Sequence, residues 1–167
     1  MLKIITTIAE LNFEELLEVY REDIQDNGAR FFPDLSGAEL FRKSGDSFIS
    51  YLREDFFCQN GAFYALWIVE RQYKAALRME PYNDGLLLEA LSTVANERRK
   101  GYGYHLVSEV LKYLPTLPYE VVYSHINKRN TPSIELHKKC GFQPFSDSAK
   151  YIDGTVTQNS CTMCYYV

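Results

Sequence analysis

Glu97-Arg98-Arg99-Lys100-Gly101-Tyr102-Gly103-Tyr104 is the stretch on which the reading of this chain turns. Before it stands the apolar run Leu86-Leu87-Leu88, and after it Leu106 to Leu114 repeats its apolar residues at helical spacing. A strand, a glycine loop and a helix start make an anion site, because unpaired backbone N–H groups and the positive end of the helix dipole converge there. The expected ligand therefore carries phosphate. A Walker loop needs Lys and Ser/Thr after its last glycine, and Tyr104-His105 follows here; a dinucleotide-binding turn needs a third glycine, and Leu106 stands in its place.

What remains, Arg98-x-x-Gly101-x-Gly103, resembles the Q/R-x-x-G-x-G/A pyrophosphate loop of GNAT-type N-acetyltransferases, which use acetyl-CoA. A second block, Asn130-Thr-Pro-Ser133-Ile-Glu-Leu136-His137-Lys-Lys139-Cys-Gly141-Phe142, is similar to that family's later motif, in the right order and at a plausible distance. The likeness covers about residues 85 to 145, so the N-terminal part is assigned by implication. It implies an α/β fold: a mixed, mostly antiparallel sheet with helices on both faces, in one domain spanning 1–167.

Composition agrees with a globular chain. Of the 167 residues 46% are hydrophobic, enough for a real core, and no tract is of low complexity. No run approaches the roughly 18 apolar residues of a membrane span, and Met1-Leu-Lys-Ile-Ile lacks the pattern of a secretion signal, so the expected location is cytoplasmic. A net charge of −4 argues against nucleic acid as the main partner. Cys161-Thr-Met-Cys164 lacks a second pair and lies in a segment that reads as a strand, so the four cysteines are expected as free thiols, with no metal site.

Periodicity predicts a first strand over Ile4 to Ile8 and a helix capped by Asn12 with Phe13, Leu16, Leu17 and Tyr20 inward. Asn27-Gly28 and Phe32-Pro33 read as breaks, and a second helix is expected from about Gly45 or Ser47 through Phe56. Strands follow at Ala62 to Glu70, Gln72 to Met79 and Leu86 to Thr93, with Pro81 to Gly85 as a turn. The helix carrying Leu106, Val107, Val110, Leu111 and Leu114 ends at Pro115, and Val121 to Ile126 returns as a strand. Thr131-Pro132 opens a last helix that stops at Gly141, and the tail from about Tyr151 gives two strands.

The resemblance assigns roles. Backbone groups of Arg98, Arg99, Lys100, Gly101, Tyr102, Gly103 and Tyr104 are expected around the pyrophosphate, with Lys138 and Lys139 nearby. Leu91 and Thr93 are expected to pair with the pantetheine arm like an added strand, and Asn130 and Ser133 to lie beside it. Acetyl transfer to an amine needs a base, an oxyanion site and a fate for the thiolate, and no metal. Backbone N–H groups at the end of the Leu86 to Thr93 strand serve the oxyanion in this family.

Relatives commonly place a tyrosine where His137 stands, and it protonates the departing sulfur. An imidazole, with an ordinary pKa of ~6.5, is able to donate that proton or to act as a base. The Ser-Ile-Glu-Leu-His spelling resembles the subgroup acting on small amino-acid-like amines such as phosphinothricin. His125, on the returning strand, and Glu89, an acid inside Leu-Leu-Leu-Glu-Ala-Leu, are the candidate bases. Phe31, Phe32, Tyr51, Tyr64 and Tyr165 are candidate walls of the acceptor pocket, and Glu22, Asp23 and Asp26 a candidate attraction for a cationic acceptor. The partners implied are acetyl-CoA and an amine acceptor, with room for a homodimer. The expected activity is direct acetyl transfer to a primary amine of a small molecule or amino acid; the alternatives are a protein N-terminus or lysine, or a non-catalytic acyl-CoA-binding module.

Overall fold

A computed structural model describes residues 1–167. In chain order the elements are β1 (Leu2–Ile5), α1 (Phe13–Val19), α2 (Arg21–Phe31), α3 (Gly37–Glu54), β2 (Phe63–Val69), β3 (Gln72–Tyr82) and β4 (Gly85–Thr93). Then come α4 (Tyr102–Tyr113), β5 (Val121–Asn127), α5 (Thr131–Lys139), β6 (Gln143–Ser146), β7 (Ala149–Lys150), β8 (Val156–Thr157) and β9 (Ser160–Tyr166). Seven strands form one sheet in the order β1-β2-β3-β4-β5-β9-β6, and β7 pairs with β8 alone. Only β4 and β5 run parallel within the sheet, so it is mixed and mostly antiparallel as expected.

Alternation along the strands sends side chains to two faces, and helices cover both. Ala65, Leu77, Leu86 and Leu88 meet Leu106, Val107, Val110 and Leu114 of the α4 side. Tyr64, Leu66 and Ala76 meet Leu16, Val19, Ile24, Leu52 and Phe56 from the α1–α3 side. Each such aliphatic side chain removed from water stabilises the fold by about 1.5–3 kcal/mol, which is why the α4 stripe is so plain in the sequence.

Local signals set the element ends. Asn12 Oδ1 accepts from the Glu15 N–H at 3.3 Å, as an N-cap should. For α5 the cap is Asn130 rather than Thr131: its Oδ1 accepts from the Ser133 N–H at 3.2 Å, and Pro132 sits in the first turn. That helix stops in a Schellman motif, with Gly141 N–H bound to Lys138 O, Phe142 N–H bound to His137 O, and Gly141 at φ 94°.

Four expectations are corrected. Asn27-Gly28 does not break the chain but lies inside α2, because Gly28 is the crossing point with α3: a Cβ there would stand 2.0 Å from Ser44 Oγ. The following helix begins at Gly37, ten residues before Ser47, because its first half is polar and packs on α2. Pro81 belongs to β3, where β2 has already ended and no donor is needed, and the turn is Asn83-Asp84. The tail also holds more strands than expected, since β6 is an exposed edge without alternation and β7–β8 is a two-residue ladder.

Candidate active site

The site begins where two strands part. β4 pairs with β5 only through Leu86–Val122, Leu87–Tyr123 and Leu88–Ser124, although β4 continues to Thr93 and β5 to Asn127. The cause lies in β4: Arg78 faces Glu89 and Ala76 faces Ser92, so Ala90 and Leu91 together oppose Leu77, with Ala90 at φ 50°. Such a bulge bends its strand away from its neighbour. From Glu89 onward the β5-facing edge of β4, Leu91 and Thr93 included, has no strand beside it. A cavity of about 160 Å³ opens there between Leu88–Leu91, Ser124–Asn127, the α5 cap Asn130 and the α5 residues Ser133 and His137.

The glycine loop lies at the far end of β4. Arg99 (φ 64°) and Gly101 (φ 85°) both take left-handed backbone on the way into α4, whose N-cap is Gly101. Alternating backbone of this kind turns successive N–H groups toward one concavity. The loop is tied down by its own side chains. Arg98 Nε donates to Thr93 O at 3.3 Å and its Nη2 meets Glu22 Oε2 at 2.6 Å, while Glu97 holds both Lys74 and Lys100. The expected basic mouth is therefore narrower than the sequence implied: Arg98 and Lys100 are paired and Arg99 is exposed. Of the two downstream lysines, Lys139 lies 4.4 Å over the Tyr104 ring, whereas Lys138 pairs with Glu135. Tyr102 packs against the core beside α4, and Gly103 faces Thr93 and Leu136, a Cβ there standing 3.5 Å from Thr93 Oγ1 and a close 3.3 Å from Leu136 Cδ1. Asn130 spends its carbonyl oxygen on the α5 cap, and Ser133 offers its own carbonyl to His137.

The other side of β4 borders a second, larger cavity, about 870 Å³, between α2, α3 and the sheet. Ala90 and Leu91 line both cavities, so the bulge is their shared wall. Of the candidate acceptor-pocket walls, Phe31, Phe32 and Tyr51 line the larger cavity; Tyr64 is buried, and Tyr165 packs elsewhere on Phe142. Asp23 reaches its rim, while its neighbour Glu22 is held by Arg98. Sequence reasoning missed Tyr20, Ser44 and Arg78 as lining residues. An arginine in an otherwise apolar strand run, Ala-Ala-Leu-Arg-Met, was the available signal for the last.

Glu89 lines the smaller cavity, and its partner Arg78 lines the larger. Arg78 Nη2 donates to Glu89 Oε2 at 3.2 Å, and both side chains are largely buried. Burial pushes the Glu89 carboxyl up to about 7, against the pull of Arg78 and with neighbouring Glu80 adding to the rise. A carboxyl so poised exchanges a proton near neutral pH.

The two histidines are engaged differently from expectation. His125 shares the Glu89 face of the sheet, but its Nδ1 meets Thr162 Oγ1 at 2.9 Å and its Nε2 meets Lys150 O at 3.0 Å, so neither nitrogen is open to an amine. His137 is buried at 1% exposure. Its Nδ1 lies 2.8 Å from Ser133 O, which can only accept, so Nδ1 carries the proton and Nε2 accepts from Ser124 Oγ at 3.0 Å. Burial lowers its pKa, so the ring is neutral at pH 7 and presents no free N–H to a leaving thiolate. The four cysteines are free, as expected.

A sequence model of the acetyltransferase (GNAT) family matches residues 14–142, more than three-quarters of the chain and the whole of both cavities' β4 wall. The chain belongs to the GNAT acetyltransferase family. Solved structures carry the same fold as this GNAT protein. The PaiA N-acetyltransferase of Thermoplasma acidophilum in complex with coenzyme A superposes with a TM-score of 0.67 at 13% identity, covering 100% of this chain and 99% of that one. The ribosomal-protein-alanine N-acetyltransferase of Brucella melitensis gives 0.66 at 18% identity, with 100% and 99% covered. The N-acetyltransferase PseH of Campylobacter jejuni in complex with acetyl coenzyme A gives 0.64 at 17%, with 99% and 97% covered. At such identities the likeness speaks for the fold of this GNAT protein. No curated protein matches it significantly in sequence. None of its helices is long and apolar enough to cross a membrane.

Proposed function

We propose that this GNAT protein, acting as one domain over 1–167, transfers the acetyl group of acetyl-CoA to the primary amine of a small molecule or amino acid by direct attack. The observation that carries the reading is the parting of β4 from β5 beyond Leu88 and Ser124, with the glycine loop at one end and the buried Glu89 carboxyl at the other. The pyrophosphate rests on backbone N–H groups of Arg98 to Tyr104, and the pantetheine arm lies along the open edge at Leu91 and Thr93, beside Asn130 and Ser133. This brings the thioester to the bulge.

An amine entering from the larger cavity gives one proton to Glu89 and attacks the thioester carbonyl with its freed lone pair. Backbone N–H groups at the bulge hold the oxyanion. Collapse breaks the C–S bond, and the second amine proton leaves with the thiolate, giving amide and CoA thiol. His137 orients Ser124 within the cleft, and the balance needs no metal. The test is thiol release from acetyl-CoA across a panel of amines, with acetyl-CoA binding measured in parallel. Turnover with a primary amine supports the reading. A protein that binds acetyl-CoA tightly and turns over with none would instead be a non-catalytic acyl-CoA-binding module.

A further inference from the structure

The larger cavity has a chemistry of its own. Three of the four buried side-chain polar atoms in the chain that lack a hydrogen-bond partner belong to residues lining it: Tyr20 Oη, Ser44 Oγ and Arg78 Nε. All three can donate, and Arg78 can do nothing else. Of the five N–H donors of that guanidinium, the only bond formed is the one from Nη2 to Glu89. An arginine held over the rings of Tyr51 and Phe56, at 5.1 and 5.6 Å, with donors unspent, is costly to keep buried unless something completes it. The remaining wall is mainly apolar, from Ile24, Phe32 and Phe48, with Asn27, Ser47 and Asp23 set among them.

The charges are also arranged as a pair. Arg78 and Glu89 are register partners across β3 and β4, Arg78 lining the larger cavity and Glu89 the smaller one in which the thioester is proposed to lie. A ligand matching this pair bears a carboxylate and an ammonium on one carbon. We infer that the acceptor is a free α-amino acid with a large apolar side chain, its carboxylate on Arg78, its amine at Glu89 and its side chain among the phenylalanines. This rests on the acetyl-transfer reading above and narrows it. A peptide or protein N-terminus lacks a carboxylate on the carbon that bears its amine, and a simple amine lacks one altogether.

The experiment compares L-phenylalanine, its amide, phenethylamine and a dipeptide with N-terminal phenylalanine, by thiol release from acetyl-CoA. We expect kcat/KM for phenylalanine to exceed each carboxylate-free analogue by about 10²-fold, the worth of a charge-assisted bond together with the donor left unpaired. Arg78→Lys, which keeps the charge but removes Nε, is expected to narrow the ratio of phenylalanine to phenethylamine about tenfold. Equal or faster turnover of the amide, the amine or the dipeptide would overturn the inference and leave acetyl transfer standing. Should no amine turn over, calorimetric titration of the CoA-loaded protein still decides: binding of phenylalanine without binding of phenethylamine upholds the receptor, and equal or absent binding of both overturns it.

Discussion

Replacing Gly28 by alanine tests how α2 meets α3. A Cβ at position 28 would lie 2.0 Å from Ser44 Oγ, 2.9 Å from Ser44 Cβ and 3.3 Å from Leu40 Cδ1. Rotating the Ser44 hydroxyl away relieves the first contact but not the second, because Cβ is fixed to the helix. The helices must therefore separate, and overpacking of this kind costs about 3 kcal/mol at the upper end of its range. Alanine regains about 1 kcal/mol in helix propensity, leaving a net loss of about 2 kcal/mol. For a chain of this size that is a fall in Tm of about 4–8 °C.

Gly45, on α3, is the matched control. A Cβ there meets only the flexible end of Leu17, at 3.3–3.4 Å, so propensity is expected to win and Gly45→Ala to be neutral or stabilising by up to about 1 kcal/mol. Differential scanning calorimetry of both variants, with Gly28→Ala/Ser44→Gly as the relief of the clash, decides the matter. If Gly28→Ala melts at or above the parent, the close crossing is not what keeps glycine in α2.

Three further outcomes are expected. Gly103→Glu sets a carboxylate beside the phosphate loop, where the end of the Leu136 side chain, 3.3 Å from the new Cβ, has to give slightly and Thr93 is in ordinary contact, and should weaken acetyl-CoA binding by about 10²-fold with the fold kept; unchanged calorimetric affinity would remove the loop from the phosphate site. The rate of acetyl transfer should rise with pH through about 7 as Glu89 ionises, and Glu89→Gln should lower it by about 10² to 10⁴ at neutral pH with partial recovery in alkali, where amine is already free; a variant profile overlaying the parent's would exclude Glu89 as the base. His137→Ala should lose about 2–4 kcal/mol of stability, yet keep turnover per folded molecule within a few-fold, since its ring serves Ser124; a large fall in turnover at unchanged Tm would restore the imidazole to the reaction. Because burial lowers the pKa of both His137 and His125 below 6.5, the folded state binds fewer protons than the unfolded one, so their stabilising effect is complete above 6.5 and is lost as pH falls below it. Urea titrations at pH 5 and 8 would show the parent gaining over that range by more than His137→Ala does.

The centre of the fold was legible because its signals are local. The apolar run of β4, the glycine loop and the α4 stripe sit within thirty residues of one another and obey simple periodicities. The α2 segment Arg21–Phe31 was not legible: it is polar, and the reason a glycine sits within it is a serine sixteen positions later on another helix. The same holds for the site. Glu89 stood out as an acid among leucines, but its partner Arg78 lies on a different strand, and the β3–β4 register alone reveals the pair. His137 was found by its place in a motif, whereas its state depends on Ser124, thirteen residues away and across a helix–sheet boundary. Spacing names such residues; only the packed sheet says which of their atoms remain free.

The three paired rungs between β4 and β5 act mechanically as a fulcrum. On one side of it lie β1 to β4, and on the other β5, β9 and β6, two stiff plates joined along barely ten ångströms of strand. A molecule wedged into the open end touches both plates far from the pivot, where a small change in the angle between them moves the bulge relative to α5 the most. Cofactor occupancy would then be felt as a torque across the whole sheet, and amide exchange at Val121 to Asn127, well behind the loop, should slow when acetyl-CoA is bound.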